Sequence, residues 1–357
     1  MQTITVALGE RSYPIHIENG LLDRAGALLA EQVGPCAAAI VTDDNVAPLY
    51  LRRVEESLQA AGFRTASVVL PHGEPTKCLD SLSRLYTFLC EAHVTRRDVI
   101  VALGGGVIGD LTGLAAATYL RGVRFVQIPT TLLAQVDSSV GGKVAVDLPQ
   151  GKNLVGAFWQ PTLVLCDPET LRTLTGAYWR DGLGEVVKYG CISDAPLFAL
   201  LERTAPGGRE ALMGVMDEIL RHCIEAKAEV VRQDERDTGL RMTLNFGHTI
   251  AHAVETCQHY TGLRHGEAVA VGMSVITRMT EQRGETAPGT AGRLDGLLDA
   301  LGLPRQLPGI PETALRQAMG LDKKSLGDCL RVIVLDEIGR CRIQETNTAF
   351  FEGMSGV

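Results

Sequence analysis

The chain has 357 residues, more than one hydrophobic core usually supports, so two domains of roughly 150–200 residues each are expected. With 45% apolar and 21% charged residues, disordered, collagen-like and staple-dependent classes are excluded. Lys plus Arg number 34 against 42 Asp plus Glu, a net charge of −8 that excludes holding nucleic acid by phosphate neutralisation.

Residues 3–8 and 13–17 alternate with period two around Gly9-Glu-Arg-Ser12 and predict a hairpin. Residues 37–42 form a continuous apolar run ending at Asp43-Asp44, followed by a helical stretch to about Ala61. Residues 65–70 predict a strand, 79–92 a helix and 99–103 a third buried strand. Runs this apolar suit a parallel sheet covered by helices on both faces, with ligand at the carboxyl ends of the strands. After about residue 175 the pattern changes. Residues 204–231, 243–257, 266–281 and 291–301 show helical periodicity, and 330–335 a short late strand. The expected architecture is an α/β domain over 1–174 and a mostly helical domain over 175–357, with ligand in a cleft between them. Apolar stretches are interrupted, as by Asp110, so no membrane span is expected. The opening residues lack a signal-peptide pattern, and the nine cysteines are odd in number with no Cys-x-x-Cys. A cytoplasmic protein with reduced thiols is expected.

The strand at 99–103 runs into Gly104-Gly-Gly-Val-Ile-Gly109-Asp110, which matches G-x-G-x-x-G ahead of a helix. Glycines there let the backbone approach a pyrophosphate, while the helix amino terminus supplies N–H donors. The acidic residue usual about twenty positions on is missing. A ribose would then be read elsewhere, by Asp43 and Asn45 or by Glu74 and Lys77.

His248 and His252 are four apart and share one helix face. The spacing is that of H-E-x-x-H, but Thr249 occupies the place of the general base, which excludes a metalloprotease. His265 opens the next helical stretch, and Glu185 is a carboxylate in an apolar, glycine-rich segment. Two imidazoles and one carboxylate would leave an open position, as in catalytic zinc sites; spacing alone does not say which three bind. Arg121, Lys143, Lys152, Lys188, Lys227, Arg241 and the Lys323-Lys324 pair lie in glycine-rich or apolar segments of this acidic chain. Converging, they would form a positive well for a phosphate and a carboxylate.

Several blocks are recognisable: Leu103 to Asp110, Arg121-Gly-Val-Arg-Phe, Ile128-Pro-Thr-Thr-Leu-Leu133, Val136 to Lys143, Gly151 to Phe158, Glu185-Val-Val-Lys-Tyr-Gly190, Leu244 to Thr249, His265-Gly-Glu-Ala-Val269 and Leu321-Asp-Lys-Lys324. Together they resemble 3-dehydroquinate synthase, over nearly the whole chain. The resemblance implies a Rossmann-like dinucleotide-binding domain and a helical metal-binding domain in a homodimeric shikimate-pathway enzyme using NAD and zinc or cobalt. It implies conversion of 3-deoxy-D-arabino-heptulosonate 7-phosphate to 3-dehydroquinate and phosphate, by transient oxidation, β-elimination, re-reduction, ring opening and an intramolecular aldol step. Carried over motif by motif, the metal ligands would be Glu185, His248 and His265. NAD would contact Asp43, Asn45, Glu74, Pro75, Thr76, Lys77, Gly105, Gly106, Val107, Gly109, Asp110, Thr130, Thr131, Lys152, Thr170, Leu171, Arg172 and Thr173. Substrate would be held by Asp137, Lys143, Lys152, Asn153, Lys188, Lys227, Arg241, Asn245, His252, Lys323 and Lys324, with Arg121 near the phosphate.

The chain departs from the family pattern at Asp237, where Glu is common, and at Val144, Asp147 and Asp181, beside motifs. The nearest alternative is another sugar-phosphate cyclase, making an inosose or a valiolone. Arg241, Asn245 and the Lys323-Lys324 pair favour a substrate that carries a carboxylate.

Overall fold

Buried strands whose alternate side chains are apolar on both sides must be covered on both sides, and the first half of the chain is built so. The structure, a computed structural model, describes residues 1–321 and 330–357; Lys323 and Lys324 lie outside the described residues. The strands of this half are β1 (Gln2–Val6), β2 (Tyr13–Ile17), β3 (Ala37–Asp43), β4 (Arg64–Leu70), β5 (Val99–Gly104), β6 (Arg124–Pro129), β7 (Lys143–Leu148), β8 (Gly151–Phe158) and β9 (Leu163–Cys166). Seven form one sheet in the order β1-β2-β9-β6-β5-β3-β4, parallel except for the β1–β2 hairpin. Its helices are α1 (Ala25–Val33), α2 (Arg52–Ala60), α3 (Leu79–Glu91) and α4 (Gly106–Thr118).

Period two decides which face each residue serves. Ala38, Ile40, Val99 and Val101 pack with Leu28, Val54 and Leu58 of α1 and α2. Ala39, Val41, Ile100 and Ala102 pack with Leu85, Leu111 and Ala115 of α3 and α4. Each fully buried aliphatic side chain contributes about 1.5–3 kcal/mol, which makes a one-residue slip of register costly. The β7–β8 hairpin joins the second face through Val144 and Val146.

The second half holds α5 (Gly176–Ile192), α6 (Ala195–Thr204), α7 (Gly208–Gly214), α8 (Met216–Gln233), α9 (His248–Cys257), α10 (His265–Gln282), α11 (Thr290–Ala300), α12 (Glu312–Leu321) and the hairpin β10 (Leu330–Glu337) with β11 (Arg340–Thr346). The backbone divides into two compact units, Met1–Leu174 with Lys227–Arg236, and Thr175–Ala226 with Asp237–Val357.

The fold class is as the sequence pattern predicts, a parallel α/β unit and a helical one. Particular elements differ. The helix expected over 204–231 is broken, because Pro206-Gly-Gly208, with Gly208 at φ +71°, ends one helix and starts another. The helix expected from 243 starts at His248, after Gly247 at φ +80°. The strands β6, β7, β8, β9 and β11 are not expected from local pattern. No disulfide joins the eight cysteines among the described residues, and no helix there is long and apolar enough to cross a membrane.

Candidate functional site

In the helical unit, glycines decide how closely the elements approach. A Cβ on Gly184 of α5 would stand 2.1 Å from the carbonyl oxygen of Gly266, and one on Gly266 of α10 1.8 Å from that of Asp181. Asp181 also accepts the N–H of Gly266 at 2.8 Å. A Cβ on Gly272 of α10 would lie 2.0 Å from the Gly247 carbonyl oxygen, seating the start of α9 against α10. No side chain fits at these three crossings, so the backbones touch.

These crossings bring together Glu185 from α5 and the first residues of α9 and α10, His248 and His265. His248 Nε2 and His265 Nε2 lie 3.5 and 3.4 Å from the same oxygen, Glu185 Oε1. One ligand atom from each of the three falls within 4.8 Å of the others. A tetrahedron with metal–ligand bonds of about 2.1 Å has edges of about 3.4 Å, so the set fits a zinc-sized cation and leaves a fourth position open. The outer nitrogens are also engaged: His248 Nδ1 lies 3.1 Å from the Phe246 carbonyl and His265 Nδ1 3.3 Å from Glu255 Oε1. Such contacts fix ring orientation at metal sites.

Charge is concentrated here. Lys188, one turn after Glu185, pairs with its other oxygen, and both side chains are buried, at 2% and 1% exposure. Burial pushes the His248 pKa down to about 3, against the pull of Glu185, so the ring is a neutral donor. Burial also lowers that of His265, but hydrogen bonding to Glu185 and Glu255 and their charges prevail and push it up to about 10. A cation binding there must displace that proton. His252 stands beside the triad, its ring centroid 5.5 Å from that of His248 and 6.1 Å from that of His265. Arg241, buried, and Asn245, exposed, lie in the 3-10 segment Leu240–Asn245 that leads into Gly247.

In the α/β unit, β5 ends at Gly104 and Gly105 caps α4, so Gly106, Val107, Gly109 and Asp110 form its first turns. A Cβ on Gly105 would meet Thr131 at 3.0 Å and one on Gly109 would meet Gln127 at 2.7 Å. Thr130 donates its N–H to the Gly104 carbonyl at 2.9 Å, holding the end of β6 to the loop. Chain order reverses between β3 and β5, the crevice where open α/β sheets bind ligands. Asp43 lies on its other flank, its carboxylate accepting the N–H groups of Asn45 and Val46; burial raises its pKa against those bonds.

Beyond β4, Glu74, Pro75 and Thr76 form a 3-10 turn that leads to Lys77. Lys77 Nζ lies 2.6 Å from Asp110 Oδ2 and donates to Asn153. Burial opposes the Lys77 charge, but Asp110 and Glu74 outweigh it and hold the pKa up. Lys152 approaches Glu74 at 3.4 Å. Lys227 donates to the carbonyl and carboxylate of Asp137 at 2.7 and 2.8 Å. Thr170, Leu171, Arg172 and Thr173 belong to the 3-10 helix Pro168–Thr173, where the Tyr50 hydroxyl donates to the Thr170 carbonyl and Gln135 donates to Thr170 Oγ1. Lys143 opens β7, exposed.

Arg121 ends the 3-10 turn Tyr119–Arg121, beyond the carboxyl end of α4. Sequence reasoning misses three contributors: Glu255, Tyr50 and Gln135. Glu255 has a signal, since His248, His252 and Glu255 follow i, i+4, i+7 on one helix face. Tyr50 and Gln135 have none, because their partners are distant in sequence.

The α/β unit followed by a helical unit is the fold of the sugar-phosphate cyclases. A 2-epi-5-epi-valiolone synthase from Streptomyces hygroscopicus, with NAD+ and Zn2+ bound, superposes with a TM-score of 0.88 at 28% identity, over 98% of this chain and 97% of the other. A 2-deoxy-scyllo-inosose synthase complexed with carbaglucose-6-phosphate, NAD+ and Co2+ gives 0.89 at 23% identity, over 99% and 100%, and speaks for the fold alone. Family models described as 3-dehydroquinate synthase N-terminal and C-terminal match residues 67–181 and 182–325. The 3-dehydroquinate synthase of Clostridium kluyveri is 44% identical over 97% of this chain and 96% of its own length. The chain belongs to the 3-dehydroquinate synthase family.

Proposed function

We propose that the chain converts 3-deoxy-D-arabino-heptulosonate 7-phosphate to 3-dehydroquinate and inorganic phosphate, as an NAD- and divalent-metal-dependent phosphate-eliminating lyase. The observation that carries this reading is the convergence of Glu185, His248 and His265 on one cation-sized position. These three residues hold the zinc or cobalt ion. Asp43, Asn45, Glu74 to Lys77, Gly105 to Val107, Gly109, Asp110, Thr130, Thr131, Lys152 and Thr170 to Thr173 hold NAD. When bound, the pair supplies a Lewis acid for a substrate hydroxyl and a reversible hydride acceptor.

The chain's own residues bind and orient. Lys188, buried against Glu185, keeps one positive charge beside the ligand carboxylate for a substrate oxygen. Lys143, Lys152, Asn153, Lys227, Arg241, Asn245 and His252 neutralise and position the phosphate and carboxylate, and Asp137 sets the Lys227 ammonium in place. The Lys323-Lys324 pair carries the same role by the family pattern. The enzyme acts as a homodimer in the cytoplasm. The acid substrate is preferred to that of an inosose or valiolone synthase because identity to 3-dehydroquinate synthase is 44%, against 28% to the valiolone enzyme.

The test supplies the seven-carbon keto-acid phosphate with zinc and a catalytic amount of NAD, and follows phosphate and 3-dehydroquinate together. Equal release of both with no net NADH is expected, and His265→Ala abolishes both while retaining the circular dichroism of the fold. Accumulating NADH, or phosphate release only from a sugar phosphate that lacks a carboxylate, would refute the reading.

A further inference from the structure

We infer that Glu255 is a positioning residue for the metal centre: its carboxylate accepts a hydrogen bond from the Nδ1–H of His265 and thereby turns the Nε2 lone pair toward Glu185 and His248. The inference rests on the metal assignment above and adds a residue to it. Glu255 lies on the face of α9 that carries His248, two turns further on, and its carboxylate is buried, at 7% exposure. A single helix face therefore delivers one ligand to the cation and one carboxylate to the ring of another.

A neutral imidazole has one N–H and one lone pair, and the partner of the first decides where the second points. His265 Nδ1 is 3.3 Å from Glu255 Oε1, and Nε2 is 3.4 Å from Glu185 Oε1. With Nδ1 protonated and donating to Glu255, Nε2 is the only nitrogen left for a cation. The ring also has a backbone anchor, because the next residue, Gly266, donates its N–H to Asp181 at 2.8 Å. Asp181 thus fixes the root of the side chain and Glu255 its rotation.

The same groups suggest a different use, since His252, Glu255 and His265 also offer ligand atoms within 4.8 Å of one another. A second cation there would have to take Nδ1 of His265 while Nε2 already serves the first, stripping the imidazole of its last N–H proton. A hydrogen bond to Glu255 needs no such step.

The experiment compares wild type, Glu255→Ala and Glu255→Gln, each full length, for zinc affinity by chelator competition, zinc stoichiometry and the visible spectrum of the cobalt-substituted protein. Glu255→Ala is expected to bind zinc about 10–100-fold more weakly and to shift the cobalt spectrum, the cost usual for a lost outer partner of a metal ligand. Glu255→Gln keeps an oxygen that accepts the Nδ1–H, so it should recover most of that affinity and a near-native spectrum. A merely structural carboxylate would leave both readouts unmoved in a folded Ala variant, which overturns the inference. So does a Gln variant as impaired as Ala, or a second zinc per wild-type chain that the Gln variant loses. Wild-type protein that binds no zinc overturns the metal assignment as well, whereas wild-type binding with an unaffected Ala variant overturns this inference alone.

Discussion

Replacing Gly184 by alanine tests whether close helix contact builds the metal centre. The added methyl would sit 2.1 Å from the Gly266 carbonyl oxygen, where ordinary contacts begin near 3.4 Å, so α5 and α10 must part by about 1 Å. Alanine is the better helix former by about 1 kcal/mol. Against that, overpacking costs about 1–3 kcal/mol, and the struck atom is backbone that no rotamer change can move aside. The steric term wins, because the struck atom is backbone, with a net loss of up to about 2 kcal/mol. Glu185 rides on α5 one residue later, so the 3.4 Å separation from His265 Nε2 would grow beyond a tetrahedral edge. Urea unfolding of the metal-free protein and zinc competition should both show the damage, with affinity down at least about tenfold. Gly296→Ala is the internal control, since nothing lies within 4 Å of its Cβ position in α11, and it should stabilise by about 0.5–1 kcal/mol. Gly184→Ala protein with wild-type stability and wild-type zinc affinity would refute the reasoning.

Three further outcomes follow from the charged groups. In metal-free protein His265 keeps its proton up to about pH 10, and zinc must displace it, so apparent affinity should rise about tenfold per pH unit between pH 7 and 9. A flat profile in chelator titrations across that range would count against the assignment. For the metal-free fold the sign is opposite: the raised His265 pKa contributes stability that is full below about pH 6.5 and is lost as pH rises through about 10. Lys77→Met leaves Asp110, whose pKa burial already raises, without its cation. About 3 kcal/mol of stability should be lost in urea unfolding, and much of it regained with Asp110→Leu in the same chain. An unchanged midpoint for Lys77→Met would show that the pair carries no such strain.

What the sequence discloses and what it hides divide along physical lines. Strands β3 and β5 are legible because each is a short apolar run between turn signals, and the loop after β5 because its glycines have one steric use. The four-residue spacing of His248 and His252 is by itself enough to put both on one helix face. Strands β6 and β9 are not legible: Arg124 opens one, the other has four residues, and both take their strand character from sheet neighbours. Gly184, Gly266 and Gly272 lie inside helices, where glycine is normally unfavourable, and that anomaly is the only local trace of the three crossings. The resemblance can place Glu185 with the histidines, but that Lys188 and Glu255 close around them is a tertiary fact.

The three proposed ligands come from segments that are distant along the chain and enter from three separate helices. An ion held by all three would act as a clasp, closing long stretches of chain into loops and removing freedom from the unfolded ensemble. Because only the folded arrangement presents all three donors, the stability of the helical unit would track the supply of the ion by mass action. A cell short of zinc would then lose this protein through turnover of opened molecules as well as through idle active sites.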